Sequence, residues 1–289
     1  MVWDDSYALG VEQIDRQHRA LFTAVNRVSS VLEQEDSQRD RRICMEAVKY
    51  LKNYTLQHFA DEEAYQRSVG YSGLEQHKRQ HESLIEVVGY MEKELEETNY
   101  APASVKRLEG VLTSWLLYHV MNADQAIVGR VARIDGCDDS IAHAVEAVFI
   151  QAAQQVFRVS AEVSDRNYAG GFSGSELFSI FDIETGAADG PAYRFVFAME
   201  ELLALRMIGG LAGRSVRAVD EMVVSALQQL FGDMAVRSLA LYGQGGGRII
   251  RRRVLRHAEA KSYFIKEQPL CRLLFSSELG PSVVCVWTI

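Results

Sequence analysis

Apolar residues recur every three or four positions through "HRALFTAVNRVSSVLEQ", "RRICMEAVKYLKNYTLQHF", "HESLIEVVGYMEKELEE" and "VKRLEGVLTSWLLYHV". That spacing puts the apolar side chains on one face of a helix and predicts four amphipathic helices. Breaks are expected around Ser37 to Asp40, at Gly70 to Gly73 and at Asn99 to Pro102. Ser72 followed by Glu75 reads as a capping box opening the third helix, and Pro102 fits near the start of the fourth. Four helices joined by short turns imply an all-α antiparallel four-helix bundle. An arm, residues 1–15, precedes it, with Trp3 and Tyr7 as packing anchors.

The pattern changes after "RIDGCDDS" at residues 133–140. One more helix, about 139–158, is followed by strand-like runs: "SELFSIFDI", "AYRFVFAM", "RIIRRRVLRH", "LCRLLFSS" and "SVVCVWTI". Two further helical stretches, about 199–212 and 217–240, lie among them, and the glycine-rich "YAGGFSG" and "YGQGGGR" read as turns. This half is expected to be α+β, with a long helix packed on a largely antiparallel sheet. The domains are thus expected at 1–135 and 139–289.

Length agrees with two domains, since 289 residues suffice for two separate cores. A net charge of −8 argues against a general nucleic-acid binder. No apolar run has the length of a membrane span, and the start "MVWDDSYALG" carries no secretory pattern. Cys44, Cys137, Cys271 and Cys285 are far apart and form no C-x-x-C, so they read as reduced, buried thiols of a cytoplasmic protein.

The chemistry is concentrated in the helical half. Five of the seven histidines lie there, at His18, His58, His77, His81 and His119, spread over all four predicted helices. His77 and His81 in "HKRQH" are one helical turn apart and share a face, which leaves Lys78, Arg79 and Gln80 as the solvated side. His58 and Glu62 are likewise four apart, whereas His119 and Asp124 are five apart. Five residues leave two side chains roughly 140° out of phase on a regular helix. Either the helix widens locally, as at a π-bulge, or the two reach a shared ion from opposite sides. Polar groups on core-facing stripes need partners, and a metal is a partner that satisfies all seven. One tetrahedral zinc takes four ligands, and calcium or magnesium requires oxygen donors. Imidazole with carboxylate suits iron, and helical bundles host carboxylate-bridged dimetal centres. Two octahedral ions offer about twelve coordination positions. Five imidazoles, two bridging carboxylates and a bridging oxide or hydroxide fill about eleven of these, leaving one open for a small ligand.

These residues carry a resemblance. The arm "W-D-x-S-Y-x-x-G-V-x-x-I-D-x-Q-H", then "H-F-x-x-E-E", "G-Y-x-G-L-x-x-H-K-x-x-H" and "H-x-x-x-x-D" resemble the hemerythrins, in particular the bacterial hemerythrin-like domains, over residues 1–135. The resemblance implies that His77, His81 and His119 ligate one iron and His18 and His58 the other. Glu62 and Asp124 would bridge the two, and dioxygen would bind reversibly at the open position of the iron held by His18 and His58. His143 and His257 fall outside the pattern and read as ordinary structural residues.

Residues 139–289 resemble, more weakly, the chemotaxis phosphatases of the CheX and CheC type, through element order and the helix "DEMVVSALQQLFGDM". That family uses an acidic residue and an asparagine three positions later; here Gln229 and Gly232 stand there. Neither supplies the required group, so phosphatase activity is expected to be lost, with dimerisation or binding of a receiver-like partner remaining. "GFSGS" lacks the second glycine of a nucleophile elbow, and "GQGGGR" lacks the Lys-Ser/Thr of a phosphate loop. The basic run Arg248, Arg251, Arg252, Arg253 and Arg256 reads as a solvated strand face. The whole is expected to be a non-enzymatic, oxygen-responsive signalling protein. Oxygen storage or scavenging, and a di-iron peroxidase or oxidase, are the competing readings.

Overall fold

The computed structural model describes residues 1–31, 37–130, 140–169, 174–185, 190–244, 247–260 and 268–289. It divides into two compact units, Met1–Ala132 and Arg133–Ile289. The expected domain boundary and Cys137 fall at 131–139, outside the described residues.

In the first unit a short 3-10 turn, Asp5–Tyr7, leads into α1 (Glu12–Val31), α2 (Ser37–Ser68), α3 (Leu74–Glu97) and α4 (Pro102–Tyr118). α1 packs against α2 and α4, and α3 packs against the same two, which makes a closed four-helix arrangement. The core is the apolar face that the sequence repeats: Ile14, Leu21, Phe22, Val25 and Val28 from α1, Val48, Leu51 and Phe59 from α2, Leu84 and Leu95 from α3, and Leu108, Leu112 and Trp115 from α4. Pro102 takes the first turn of α4, where its missing N–H costs nothing.

Two helix boundaries differ from expectation. Ser37 to Asp40 are already helical, and residues 32–36 before them lie outside the described residues. α3 starts at Leu74 with Gly73 at its N-cap, so Ser72 stands one residue before the cap position that the sequence suggested for it. Gly70, left-handed at φ 67°, follows the end of α2 at Ser68 and turns the chain toward α3.

α4 does not stop at Tyr118. It runs on as a π-helical turn, His119–Asp124, and ends in the short α5 (Gln125–Ile127). Of the two readings of the five-residue offset, the local widening is the one observed. A π turn closes on the fifth residue, so His119 and Asp124 come onto one face.

The second unit is an antiparallel sheet with helices, as expected for an α+β class. Its elements are α6 (Ile141–Val156), β1 (Ala161–Asp165), β2 (Glu176–Thr185), β3 (Ala192–Glu200), α7 (Glu201–Ala212), α8 (Glu221–Leu239), β4 (Gly247–Arg256), α9 (His257–Ala260), β5 (Cys271–Ser277) and β6 (Ser282–Thr288). The strands form one sheet in the order β1-β5-β6-β3-β2-β4, every pairing antiparallel. One face stacks on the helices, with Phe197 against Phe231 of α8 and Phe275 against Phe149 of α6. The other buries Phe178, Ile180, Val196, Val283, Cys285 and Trp287 with Ala260. Burial on both faces accounts for near-continuous apolar runs such as "LFSIF" where alternation would mark a half-exposed strand. α8 is capped by Asp220, whose carboxylate accepts from the N–H groups of Met222 and Val223.

Candidate metal centre

The bundle brings all seven expected donors together. α1 supplies His18, α2 His58 and Glu62, α3 His77 and His81, and the π turn His119 and Asp124. Each is at most 3% exposed. His77 Nε2 and His81 Nε2 lie 3.1 and 3.2 Å from Glu62 Oε2. His119 Nε2 is 3.0 Å from Asp124 Oδ1 and 3.1 Å from His81 Nε2. Asp124 also reaches His18 Nε2 at 3.2 Å and His77 Nε2 at 3.5 Å. Donor atoms converge in two groups that share a carboxylate: Glu62, His77, His81 and His119 in one, and His18, His58 and Glu62 in the other. Asp124 spans both through its contacts to His18 and His119.

These atoms face a common point more than they bond to one another. Both ring nitrogens of His18, Glu62 Oε1 and both carboxylate oxygens of Asp124 are buried without a properly oriented hydrogen-bond partner. Such orphans are rare in folded proteins and each one costs about 1–3 kcal/mol. Imidazole and carboxylate donors at this density fit a pair of cations.

Electrostatics keeps the donors usable. Burial pushes His58 down to about 3 and His119 down to about 4, so both rings are neutral with a lone pair available. Burial opposes charge on Glu62 and Asp124 too, but the surrounding imidazoles outweigh it and hold both carboxyls below their ordinary values. For His18 and His77 burial works against the proton, yet Asp124 and Glu62 more than offset it and raise both.

Around the donors lies an aromatic shell that motif spacing does not single out. Phe59 stacks on His81 with ring centroids 3.6 Å apart, and Trp115 on His119 at 4.2 Å. Trp3 packs edge-on against Phe22 and Tyr7, 6.4 Å from the His18 ring, as the arm's anchor residues. The arm is tied down by Asp15, which accepts from the N–H groups of Leu9 and Gly10, and by Gln125, which donates to the carbonyl of Tyr7. Outside the donors, Gln17 Oε1 faces His58 Nδ1 and Glu63 Oε1 faces His81 Nδ1, each at 3.2 Å. Both sit beside a donor in the quoted motifs, but only the folded structure shows which ring each one meets.

His143 and His257 stay apart from this cluster. His143 lies in the first turn of α6, and His257 Nδ1 is 3.3 Å from Glu176 Oε2. Lys78 and Arg79 are exposed, as the solvated side of α3.

The sequence matches the family description "Hemerythrin HHE cation binding domain" over residues 9–131. The bacteriohemerythrin of Pseudomonas paraeruginosa is 30% identical over 132 residues, 45% of this chain and 81% of that protein. Through its N-terminal half, the chain belongs to the hemerythrin family. The bacteriohemerythrin of Clostridium acetobutylicum is 29% identical over 130 residues, 44% of this chain and 98% of that one. Among solved structures, the chemotaxis protein CheX of Vibrio vulnificus has a TM-score of 0.43 at 11% identity, over 52% of this chain and 99% of that one. The C-terminal half, which the hemerythrin matches leave uncovered, is the part similar to it.

In that half, Gln229 and Gly232 lie on α8 and are buried. A Cβ on Gly232 would stand 3.0 Å from Ile249 Cδ1 and 3.3 Å from Phe181 Cε1, so this position faces the sheet and has no room for an asparagine side chain. Gln229 Nε2 donates to both oxygens of Asp233, at 3.0 and 2.9 Å. Burial pushes the Asp233 carboxyl up to about 7, while Gln229 and the Arg252 charge pull the other way. A carboxyl whose folded pKa lies above its unfolded value of about 3.9 makes the fold bind more protons than the unfolded chain between those two values. Stability of this unit is therefore expected to fall as pH rises from about 4 to about 7. Asp233→Asn should remove that slope and stabilise the unit at pH 8 by on the order of 2 kcal/mol. Denaturant melts of both proteins at pH 5 and pH 8 check this.

The basic run lies on β4, an edge strand of the sheet. Arg248 pairs with Glu184 at 3.2 Å, Arg251 with Asp182 at 3.3 Å and Arg256 with Glu201 at 3.4 Å. "GFSGS" and "GQGGGR" lie partly outside the described residues. Cys44, Cys271 and Cys285 are buried free thiols, and among the described residues no helix is long and apolar enough to cross a membrane.

Proposed function

We propose that the N-terminal unit holds two iron ions and binds dioxygen reversibly. The observation that carries this reading is the convergence of seven buried donors, of which His18, Glu62 and Asp124 keep ring or carboxylate atoms without a hydrogen-bond partner. His77, His81 and His119 would hold one ion and His18 and His58 the other, with Glu62 and Asp124 shared. A di-iron pair supplies the electrons that make dioxygen binding reversible. The chain's part is to keep His58 and His119 neutral, to fix both carboxylates between the two groups, and to exclude water with Phe59, Trp115 and Trp3. A dry, apolar surround slows loss of the oxidised, ligand-bound state by keeping solvent from the centre.

The experiment is the iron content and visible absorption of purified protein, reduced and then exposed to air. Two irons per chain and an oxo-bridged spectrum, bleached by reduction and restored by oxygen, support the reading. Zinc content, or a fully loaded protein that stays colourless after exposure to air, sinks it.

Attachment of this unit to a second folded unit favours oxygen or redox sensing over storage. The C-terminal unit would serve as homodimer interface or contact for a receiver-type signalling partner, in a cytoplasmic protein whose thiols stay reduced. Phosphatase turnover in this unit is not part of this reading, because Gln229 is occupied by Asp233 and Gly232 is closed by the sheet. Sensing requires that the two ligation states differ in what the second unit does. Identical self-association and partner affinity in the reduced, oxygenated and oxidised forms would leave storage as the function.

A further inference from the structure

Two of the candidate ligands have their outward ring nitrogen committed, and to groups of different charge. His81 Nδ1 faces the Glu63 carboxylate at 3.2 Å, and His58 Nδ1 faces the Gln17 amide oxygen at the same distance. A carboxylate only accepts hydrogen bonds, so His81 must carry a proton on Nδ1, and Nε2 is the atom it turns to the cluster. The same logic settles His58 at one remove. Gln17 Nε2 lies 2.7 Å from Asp61 Oδ2, and Asp61 also accepts from Gln57 Nε2 at 3.0 Å. Asp61 can only accept, so it takes the NH2 end of Gln17. The oxygen end is then turned to His58, which must donate from Nδ1. Both rings are therefore set, before any metal arrives, with Nδ1 protonated toward its outer partner and Nε2 toward the cluster.

What differs is how hard each partner pushes. A carboxylate bound to the far nitrogen raises the basicity of a ligating imidazole more than a neutral amide does. Arg67 approaches the other Glu63 oxygen only at 3.9 Å, from an exposed position, so it screens that charge weakly. We infer that Glu63 and Gln17 are positioning residues that make the two halves of the centre electronically unequal. Glu63 strengthens His81 as a donor and holds the three-histidine side in its oxidised state. Gln17, oriented by Asp61, fixes His58 without that push and keeps the two-histidine side easier to reduce. This rests on the di-iron reading for its redox consequence, but the proton positions do not depend on it.

The test uses the full chain and the variants Glu63→Gln and Gln17→Glu. In the metal-free parent, 15N spectra of the histidine rings should show His58 and His81 protonated on Nδ1. A bare Nδ1 on either ring overturns the inference. In the iron-loaded proteins, Glu63→Gln should keep its iron and shift the oxidised-to-reduced ratio at a fixed solution potential about tenfold toward reduced, equivalent to 59 mV for a one-electron step. Gln17→Glu should shift it the opposite way. Unchanged potentials in both fully loaded variants also overturn it. If the parent takes up no iron, the di-iron reading fails while the ring spectra still decide the proton positions. Should Glu63→Gln fail to fold, Gln17→Glu and the parent spectra decide alone.

Discussion

Glu62→Ala is expected to abolish iron uptake, and to do so more completely than loss of any single histidine. Glu62 is the donor common to both groups, it is 0% exposed, and its Oε2 stands 3.1 and 3.2 Å from His77 and His81. Its removal would take the shared donor from both groups at once and leave two buried imidazoles facing a void. His77→Ala removes one donor from one group only. Replacing an outer partner of a metal ligand typically costs 10–100-fold in affinity, so loss of the shared ligand should exceed about 100-fold. His77→Ala should weaken loading less, with one site affected first. Iron per chain, titrated against a competing chelator, separates the three proteins. His143→Ala, outside the cluster, is the control that should load normally. Parent-like loading of Glu62→Ala would mean that the seven donors do not act as one centre.

How far the sequence anticipates this structure depends on the kind of feature. The bundle was legible because its apolar residues repeat at helical spacing over long stretches, and the site because its donors recur at one-turn offsets within that repeat. The one offset that broke the rule, His119 to Asp124, marked the π turn itself. Local capping was less legible: Ser72 and Glu75 have the right identities, but the left-handed Gly70 and the N-cap at Gly73 decide where α3 begins. β1 went unseen because "AEVSD" is a short edge strand of five residues, too few for its alternation of half-buried and exposed side chains to stand out. Sheet order was beyond reach as well, since β5 and β6 lie between β1 and β3 for reasons of tertiary pairing. The partners of His58 and His81 illustrate the deeper limit. Gln17 and Glu63 are visible as neighbours of ligands, yet Gln17 serves a ring on another helix 41 residues away, and Glu63 one 18 residues away. Spacing within a helix says which residues share a face; it says nothing of which face another helix brings opposite.

Removing iron should destabilise the bundle and leave the second unit untouched. With the ions absent, a four-helix core must enclose five imidazoles and two carboxylates, several of whose atoms have no hydrogen-bond partner. Part of that cost is relieved when His18 and His77 take protons, since Asp124 and Glu62 raise both, but Glu62 Oε1 and both Asp124 oxygens stay orphaned. Metal binding removes the penalty and adds its own mass-action term, about 4 kcal/mol for a ligand at a thousand times its dissociation constant. For a unit of this size that corresponds to a rise in melting temperature of about 10 °C or more. Calorimetry of the full chain, as isolated and after exhaustive chelation, should therefore show one transition that moves and one that does not. The moving transition belongs to Met1–Ala132, because every donor lies there. Adding back ferrous iron without air should restore it. Glu62→Ala supplies the internal check: its bundle transition should sit near the chelated position and ignore added iron. If chelation leaves both transitions in place, the buried donors are satisfied without metal, and the seven residues form a polar core instead of a metal centre.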